Sequence, residues 1–365
     1  MTGSPPSEAA PPRRRRPRST TIIVVLALLY TLYFARAFLL PIAFAVLLTF
    51  LLSPVVRGLG KLKVPRGLAA ALVVLTLLGA GTLGAYQLAG PVQTWIAKAP
   101  ASIETARRGI RQLLRPFERV RRTAEQVETA AGNVSGEPKP PVVVLQGPSI
   151  ISRVFGSTQR FLAVLLEMLI LLFFLLAAGD LFLRKLIKVL PHLQDKLKAI
   201  RIAREVESSI STYLGTMAAI NIVEGIVVAG VLALMDIPSP LLWGVVVAAL
   251  EFIPYLGGLA IVVILAIVGL STFPTLGRAL MVPGVFLLIN TLQVNLITPQ
   301  LLGQRLALNP VAVFVGLAFW FWIWGIPGAF IGVPMLAAFK ICCDHIDMLR
   351  PVGEFLGGRE ESAVP

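Results

Sequence analysis

Two apolar stretches in the C-terminal half, residues 241–270 and 310–341, are each interrupted by proline and glycine near the middle. An unbroken helix of about 30 residues would run roughly 45 Å, against a bilayer hydrocarbon core of about 30 Å, so each stretch must tilt steeply or break. The breaks are legible as EFIPYLGG (251–258) and WGIPGAFIGVP (324–334). Proline there removes a helical N–H and glycine permits a turn. Pro254, Gly257 and Gly258 in the first, and Gly325, Pro327, Gly328 and Pro334 in the second, are the expected hinges. Broken helices at membrane depth leave backbone groups that only protein or a water-filled cavity can satisfy, which points to a transport pathway.

The rest of the chain agrees with a membrane setting. Of 365 residues, 56% are hydrophobic and 14% charged, and the mean hydropathy is +0.82, outside the range of soluble globular domains. The fold class expected is an all-α polytopic membrane protein. Its hydrophobic segments are 20–35, 38–56, 68–88, 161–178, 212–235, 241–270, 279–298 and 310–341, the two broken ones being re-entrant hairpins or full crossings. Residues 1–19, rich in Pro, Ser and Arg, read as a disordered cytoplasmic tail. A basic run before an apolar one could open a signal peptide, but no small-residue cleavage site follows and Arg36 and Pro41 lead into another apolar segment, so an uncleaved anchor is expected. Arg57, Lys61, Lys63 and Arg66 form an all-basic loop two spans later, again on the cytoplasmic side. Both termini are then expected to be cytoplasmic.

By that count residues 90–160 form an extramembrane insert on the outer side. Ile103, Ala106, Ile110, Leu113, Phe117, Val120, Ala124 and Val127 recur at alternating spacings of three and four, a seam for a neighbouring subunit or for the insert's own fold. Pro116 predicts a kink or break within it, and residues 132–147 read as a return loop. After the fourth span, residues 181–210 read as a cytoplasmic amphipathic helix, with Leu186, Leu190, Leu193, Leu197 and Ile200 on one face and seven basic residues around them. Anionic lipid headgroups are the partners this predicts, and they account for the net charge of +14. Nucleic acid is not expected, because no stacking or groove-reading motif accompanies the basic residues.

Enzyme chemistry is not expected. His192 and His345 are the only histidines, and there is no HExxH, Walker A motif or nucleophile triad, so neither a cofactor nor a catalytic set is assigned. CCDHID (342–347) holds metal-ligand residue types, but adjacent helix positions do not face one another, and a polar helix end is the better reading. The informative polar residues lie inside apolar segments, where an ionised carboxylate costs at least about 2.5–3.5 kcal/mol on insertion scales. Asn221 and Glu224 share one helix face, as do Asn290 and Gln293, with Asn295 beyond them, and Glu251 stands at the first break. These six are the expected solute or ion pathway; Glu167, alone on its span, reads as structural. A polar pair followed by an Ile-Pro break occurs twice, at nearly equal offsets (Asn221/Glu224 then Pro254; Asn290/Gln293 then Pro327), as two repeats of opposite orientation would give.

From about Tyr30 to Gly357 the chain resembles the AI-2E transporters, in the branch of the PurR-regulated permeases. The strings that carry the resemblance are NIVEGIVVAGVLALMDIPSPLLWGVVVAALEFIPYLGG, ITPQLLGQRLALNPVAVF, FWIWGIPGAFIGVP and CDHIDMLRPVGEFLG. The resemblance implies about eight hydrophobic segments, an extramembrane helical insert after the third, and homo-oligomers, a pentamer being the stoichiometry it suggests. It also implies export of a small signal molecule or sodium/proton antiport in a bacterial cytoplasmic membrane. The expected function is a permease for a small polar solute or cation, coupled to protons or sodium; an uncoupled pore or a scaffold acting through the insert are the alternatives.

Overall fold

The computed structural model describes residues 18–129, 150–189, 193–302 and 308–358. The expected return loop and nearly all of the 1–19 tail lie outside these residues. The described chain is helical and contains no named strand. Helices α1 (Arg18–Phe34) and α2 (Arg36–Lys61) are separated only by Ala35. Pro65 and the positive φ of Lys63 close the loop before α3 (Arg66–Thr129). Next come α4 (Ile150–Ala178), α5 (Leu181–Val189) and α6 (Leu193–Leu234). The C-terminal half contains α7 (Pro240–Leu250), α8 (Leu256–Thr272) and α9 (Leu276–Leu292). It continues through a π-helical turn (Gln293–Ile297) into α10 (Thr298–Leu302), α11 (Pro310–Trp324), α12 (Ile326–His345) and α13 (Arg350–Leu356).

Among the described residues six helices are long and apolar enough to cross a bilayer, in α2, α3, α4, α6, α9 to α10, and α12. The two interrupted stretches are helical hairpins. In the first, α7 and α8 join through residues 251–255, where Tyr255 has φ +63°. A Cβ on Gly257 would run into the Leu250 carbonyl, so the first turn of α8 lies against the last turn of α7. In the second, Gly325 alone joins α11 to α12, with φ +66°. Gly328 sits against the Trp320 carbonyl, and Gly332 and Gly316 face Leu317 and Leu336 across the pair, so α11 and α12 run antiparallel. Close passage of two backbones explains why glycine occupies these positions.

Three expectations need correction. The third span and the insert's first helix are one helix, α3, which passes through Pro116 without a break; helical pattern on both sides maintains the ladder around the one missing N–H. Side chains of the heptad seam beyond Glu104 lie outside the described set. The 181–210 unit is not a separate amphipathic helix, since its second half continues into the fifth span as α6, 42 residues with no proline after Pro191 to interrupt it. The fourth span lies where expected, Phe161–Ala178, as the C-terminal part of α4, which itself opens at Ile150. Pro334 lies inside α12, not at a hinge, because Gly325 has already turned the chain.

Among the described residues three large apolar clusters hold the bundle, beside a small one of Ala312, Leu336 and Leu356. One gathers Val228, Val247, Ile261 and Phe286 from α6 to α9. A second joins Leu47, Tyr213, Leu317 and Ile331 from α2, α6, α11 and α12, and a third joins Ala45, Ala70 and Leu172 from α2, α3 and α4. The second hairpin is pinned by a long-range bond, Trp324 Nε1 donating to the Leu32 carbonyl at 2.9 Å. Trp324→Phe keeps most of the ring and leaves that carbonyl without its donor, so a loss of about 1 kcal/mol is expected. Thermal melting of the purified protein in detergent measures it, and an unchanged midpoint would remove this bond from the stability of the hairpin.

Candidate functional site

The deepest polar cluster lies where α6, the α7–α8 break and α9 converge. Glu224 sits midway along the apolar part of α6 and is 3% exposed. Glu251 ends α7, half-buried, as its C-cap. Between them the Asn290 side chain of α9 donates through Nδ2 to Glu224 Oε1 at 3.2 Å and to Glu251 Oε1 at 3.1 Å. One amide thus holds two carboxyl groups together. Asn221, fully buried one turn before Glu224, accepts from the Phe252 N–H at 3.3 Å and donates to the Met217 carbonyl at 3.2 Å, with its amide oriented to satisfy both. That bond ties α6 to the backbone of the break.

Gly258, on the first turn of α8, faces the same cluster. A Cβ there would lie 3.4 Å from Glu251 Oε1 and 3.7 Å from Asn290 Oδ1. Both amide hydrogens of Asn290 are available only through Nδ2, so its Oδ1 remains an acceptor. Among the described residues the Glu251 and Phe252 carbonyls of the break accept no backbone hydrogen bond, whereas those of Leu250, Ile253 and Pro254 do. Glu224 Oε2 is buried and has no hydrogen-bond partner among the described residues. The cluster is therefore rich in oxygen acceptors and poor in donors, the composition that suits a cation or protons. Behind Glu224, between α6 and α9, lies an apolar cavity of about 330 Å³ bordered by Ile220, Val223, Ile289 and Leu292.

The second hairpin reaches the same place. Phe252 of the first break stacks on Phe330 of α12, ring centroids 5.1 Å apart, and Phe330 in turn meets Phe44 of α2 at 6.0 Å. Pro327 opens α12 close by. Of the expected pathway residues, Asn221, Glu224, Glu251 and Asn290 come together. Gln293 borders the same cavity as Glu224 but is not hydrogen-bonded to the cluster: buried in the π turn, it donates to Thr298 Oγ1 at 3.0 Å, and among the described residues its Oε1 has no partner. Asn295 is exposed and bonds the Thr291 carbonyl of its own helix at 2.8 Å, outside the cluster. Sequence reasoning missed the Phe252–Phe330 contact, although an aromatic beside each Ile-Pro break was visible. At the end of α12, Lys340 pairs with Asp344 at 2.6 Å and His345 Nε2 lies 3.3 Å from Glu205 Oε2, so the CCDHID segment finds its partners on α6 and on its own helix.

Asn290→Leu would leave two adjacent carboxyl groups without the amide that joins them. A destabilisation of about 2–3 kcal/mol is expected. Adding Glu251→Gln should recover part of it, since the new amide can donate to Glu224. Denaturant titration in detergent reads both, and equal stability of Asn290→Leu and the parent would show that the bridge contributes nothing.

The sequence signature of the AI-2E family transporters matches residues 22–348. The chain belongs to that family. It is similar to the AI-2 transport protein TqsA of Escherichia coli K12, 26% identical over 324 residues that cover 86% of this chain and 87% of that one. A Haemophilus influenzae protein assigned to transport by its name is 24% identical over 339 residues, 90% of this chain and 92% of its own. A Borreliella burgdorferi protein, likewise named for transport, is 30% identical over 214 residues, spanning 58% of each chain. This AI-2E family protein is thus a multi-pass membrane transporter by kinship, and its carboxylate pair lies within the matched region.

Proposed function

We propose that this permease moves a small polar solute or cation by ion-coupled secondary transport, with protons or sodium as the coupling ion and the Glu224–Asn290–Glu251 cluster as the exchange site. The observation that carries the reading is the pair of membrane-depth carboxyl groups sharing one amide donor beside unpaired carbonyls of a helix break. Carboxylates at depth are costly unless a positive charge or a proton joins them, so loading and unloading the cluster would change the stability of the hairpin that holds Glu251. Entry of one cation or proton would relieve repulsion between the carboxylates. Its departure would favour another arrangement of the break. The two hairpins meet at Phe252 and Phe330, so movement at one would be felt by the other. TqsA is named for transport of AI-2, and a small polar signal molecule is accordingly the first solute to test.

The test uses purified protein in liposomes, with radiolabelled sodium, a pH-sensitive dye and a panel of polar solutes. Coupled transport predicts flux that follows an imposed pH or sodium gradient and reverses with it. Flux of the same size with no gradient of either ion would point to an uncoupled pore, and no flux at all to a scaffold.

A further inference from the structure

The end of the bundle that carries Arg57 and Arg66 holds a second polar cleft, apart from the Glu224–Asn290–Glu251 cluster. Along α6, Arg204, Ser208 and Ser211 recur at spacings of four and three and so share one face, with Glu207 beside them. Glu207 fastens this face to α2: its Oε1 accepts from Arg57 Nη1 at 2.6 Å and from Ser53 Oγ at 3.2 Å. Next to that junction a cleft of about 450 Å³ opens between α2, α6 and Asp180, just past the end of α4. A side cavity of about 140 Å³ adjoins it through Arg57, Asp180 and Glu207 and extends to Arg66 and Gly179. There the Arg66 guanidinium lies against Gly179, whose φ of +52° carries the chain out of α4.

Charge in the cleft does not cancel. Arg57 is paired with Glu207, and Arg66 approaches Asp180 at 3.9 Å. Arg204 borders the cleft and has neither ion pair nor hydrogen bond among the described residues, which leaves one positive charge over. Donors are also in excess. Arg57 spends one guanidinium nitrogen on Glu207, and a guanidinium carries five N–H groups. Ser208, Ser211 and Thr212 line the cleft, and among the described residues none of their hydroxyls is hydrogen-bonded. Ser211 is the most telling of them. It is 8% exposed, yet its hydroxyl does not return to the carbonyl four residues back, as those of Thr31, Thr49 and Thr76 do. A buried hydroxyl on a cleft wall takes its partner from whatever fills the cleft. The seven residues from the exposed Arg204 to the buried Ser211 span about 10 Å, so the charge stands at the mouth and the hydroxyl at the floor.

We infer that this cleft binds a singly charged phosphodiester, held by the Arg204 and Arg57 guanidinium groups and by the Ser208 and Ser211 hydroxyls. The guanidinium fork matches phosphate oxygens, and donors arriving from two helices at different heights suit a tetrahedral anion better than a planar carboxylate. One uncompensated positive charge matches one negative charge, whereas a doubly charged phosphomonoester would also face Glu207 and Asp180. At about 30 Å³ per water-sized group, the volume admits roughly fifteen non-hydrogen atoms, a phosphate together with what it is esterified to. The mouth stands level with the ends of the apolar spans at Lys61 and Ala178, where phospholipid phosphates lie and where water also reaches. The diester therefore comes from a lipid headgroup or from a water-soluble molecule. Bound there, it would join α2 to α6, the helix that carries Glu224 thirteen residues beyond Ser211. The inference does not depend on the transported solute or on ion coupling.

The test follows the melting midpoint of the purified full chain in a non-ionic detergent during titration with dihexanoyl phosphatidylglycerol, with glycerophosphoglycerol, and with dihexanoylglycerol as the phosphate-free counterpart. Saturable stabilisation by a phosphodiester, and none by dihexanoylglycerol, is expected. Stabilisation by the lipid alone identifies a headgroup site, and stabilisation by both diesters a site for a soluble one. Arg204→Gln and Ser211→Ala should each raise the half-saturating concentration about tenfold. Arg204 is exposed, so Arg204→Gln without ligand should melt like the parent. Arg201→Gln, on the same helix but outside the cleft, should leave the titration unchanged. Equal weakening by Arg201→Gln and Arg204→Gln would reduce the effect to the attraction of a basic surface. Equal stabilisation by dihexanoylglycerol would assign it to the acyl chains, and no saturable stabilisation by either diester would leave the cleft to water. Any of these three results overturns the inference.

Discussion

Glu224→Gln and Glu251→Gln should each reduce gradient-driven flux in liposomes to the level of protein-free vesicles, while the protein elutes and melts like the parent. The amide matches the carboxyl in shape and can still accept from Asn290 Nδ2, which is 3.2 Å from Glu224 and 3.1 Å from Glu251 in the parent. It cannot bind a proton or balance a cation. Removing one of two neighbouring buried carboxylates also removes repulsion, so the melting temperature should hold or rise. The two variants test different parts of the site: Glu224 is buried on a continuous helix, whereas Glu251 is half-buried at the hairpin break. Transport at the parental rate by both would reduce the pair to interhelical hydrogen bonding, worth about 0.6 kcal/mol per contact in membrane bundles.

The largest structural effect is expected where α6 crosses α7. A Cβ on Gly225 would meet the Gly244 carbonyl and the Ala248 methyl, and a Cβ on Gly244 would meet the Gly225 carbonyl and the Ala229 methyl. The two backbones touch, and neither side has a flexible group that could move aside. Gly244→Ala should destabilise the protein by about 1–3 kcal/mol through forced separation of the helices, and Gly244→Leu should leave no monodisperse peak on size exclusion. Gly230 is the control. It lies on the same helix with nothing within 4 Å, so Gly230→Ala should be neutral or stabilise by up to about 1 kcal/mol through helix propensity. Equal melting of Gly244→Ala and Gly230→Ala would mean that the crossing tolerates a wider spacing.

The fold class and the positions of both breaks were legible because proline and glycine act locally, whereas the choice between a reversal and a full crossing was not. Pro254, Gly257, Gly325 and Gly328 appear in the structure where their backbone chemistry requires a turn or a close passage. Helix continuity was not legible in the same way. Pro116 predicts a break on local grounds, yet α3 continues through it, and the boundary drawn near residue 211 by the change from basic to apolar character falls inside α6. Composition changes where the solvent changes, and a helix does not have to end there. The polar residues show a similar division. Helical spacing placed Asn221 with Glu224 on one face, but it could not show that Asn290 turns to two carboxyl groups while Gln293, three residues on, turns to Thr298. The wider π turn that begins at Gln293 redirects that side chain, and sequence periodicity assumes uniform α geometry.

That turn has a mechanical consequence. A π turn accommodates one residue more than the α geometry around it, like a wrinkle in a carpet, and a wrinkle can be passed along. Drawing Gln293–Ile297 into the α pattern would rotate α10 by about 100° relative to α9. Asn290 and the carboxyl groups it bridges lie before the wrinkle and would keep their places. Helix α10 lies beyond it and would turn like the far end of a crankshaft.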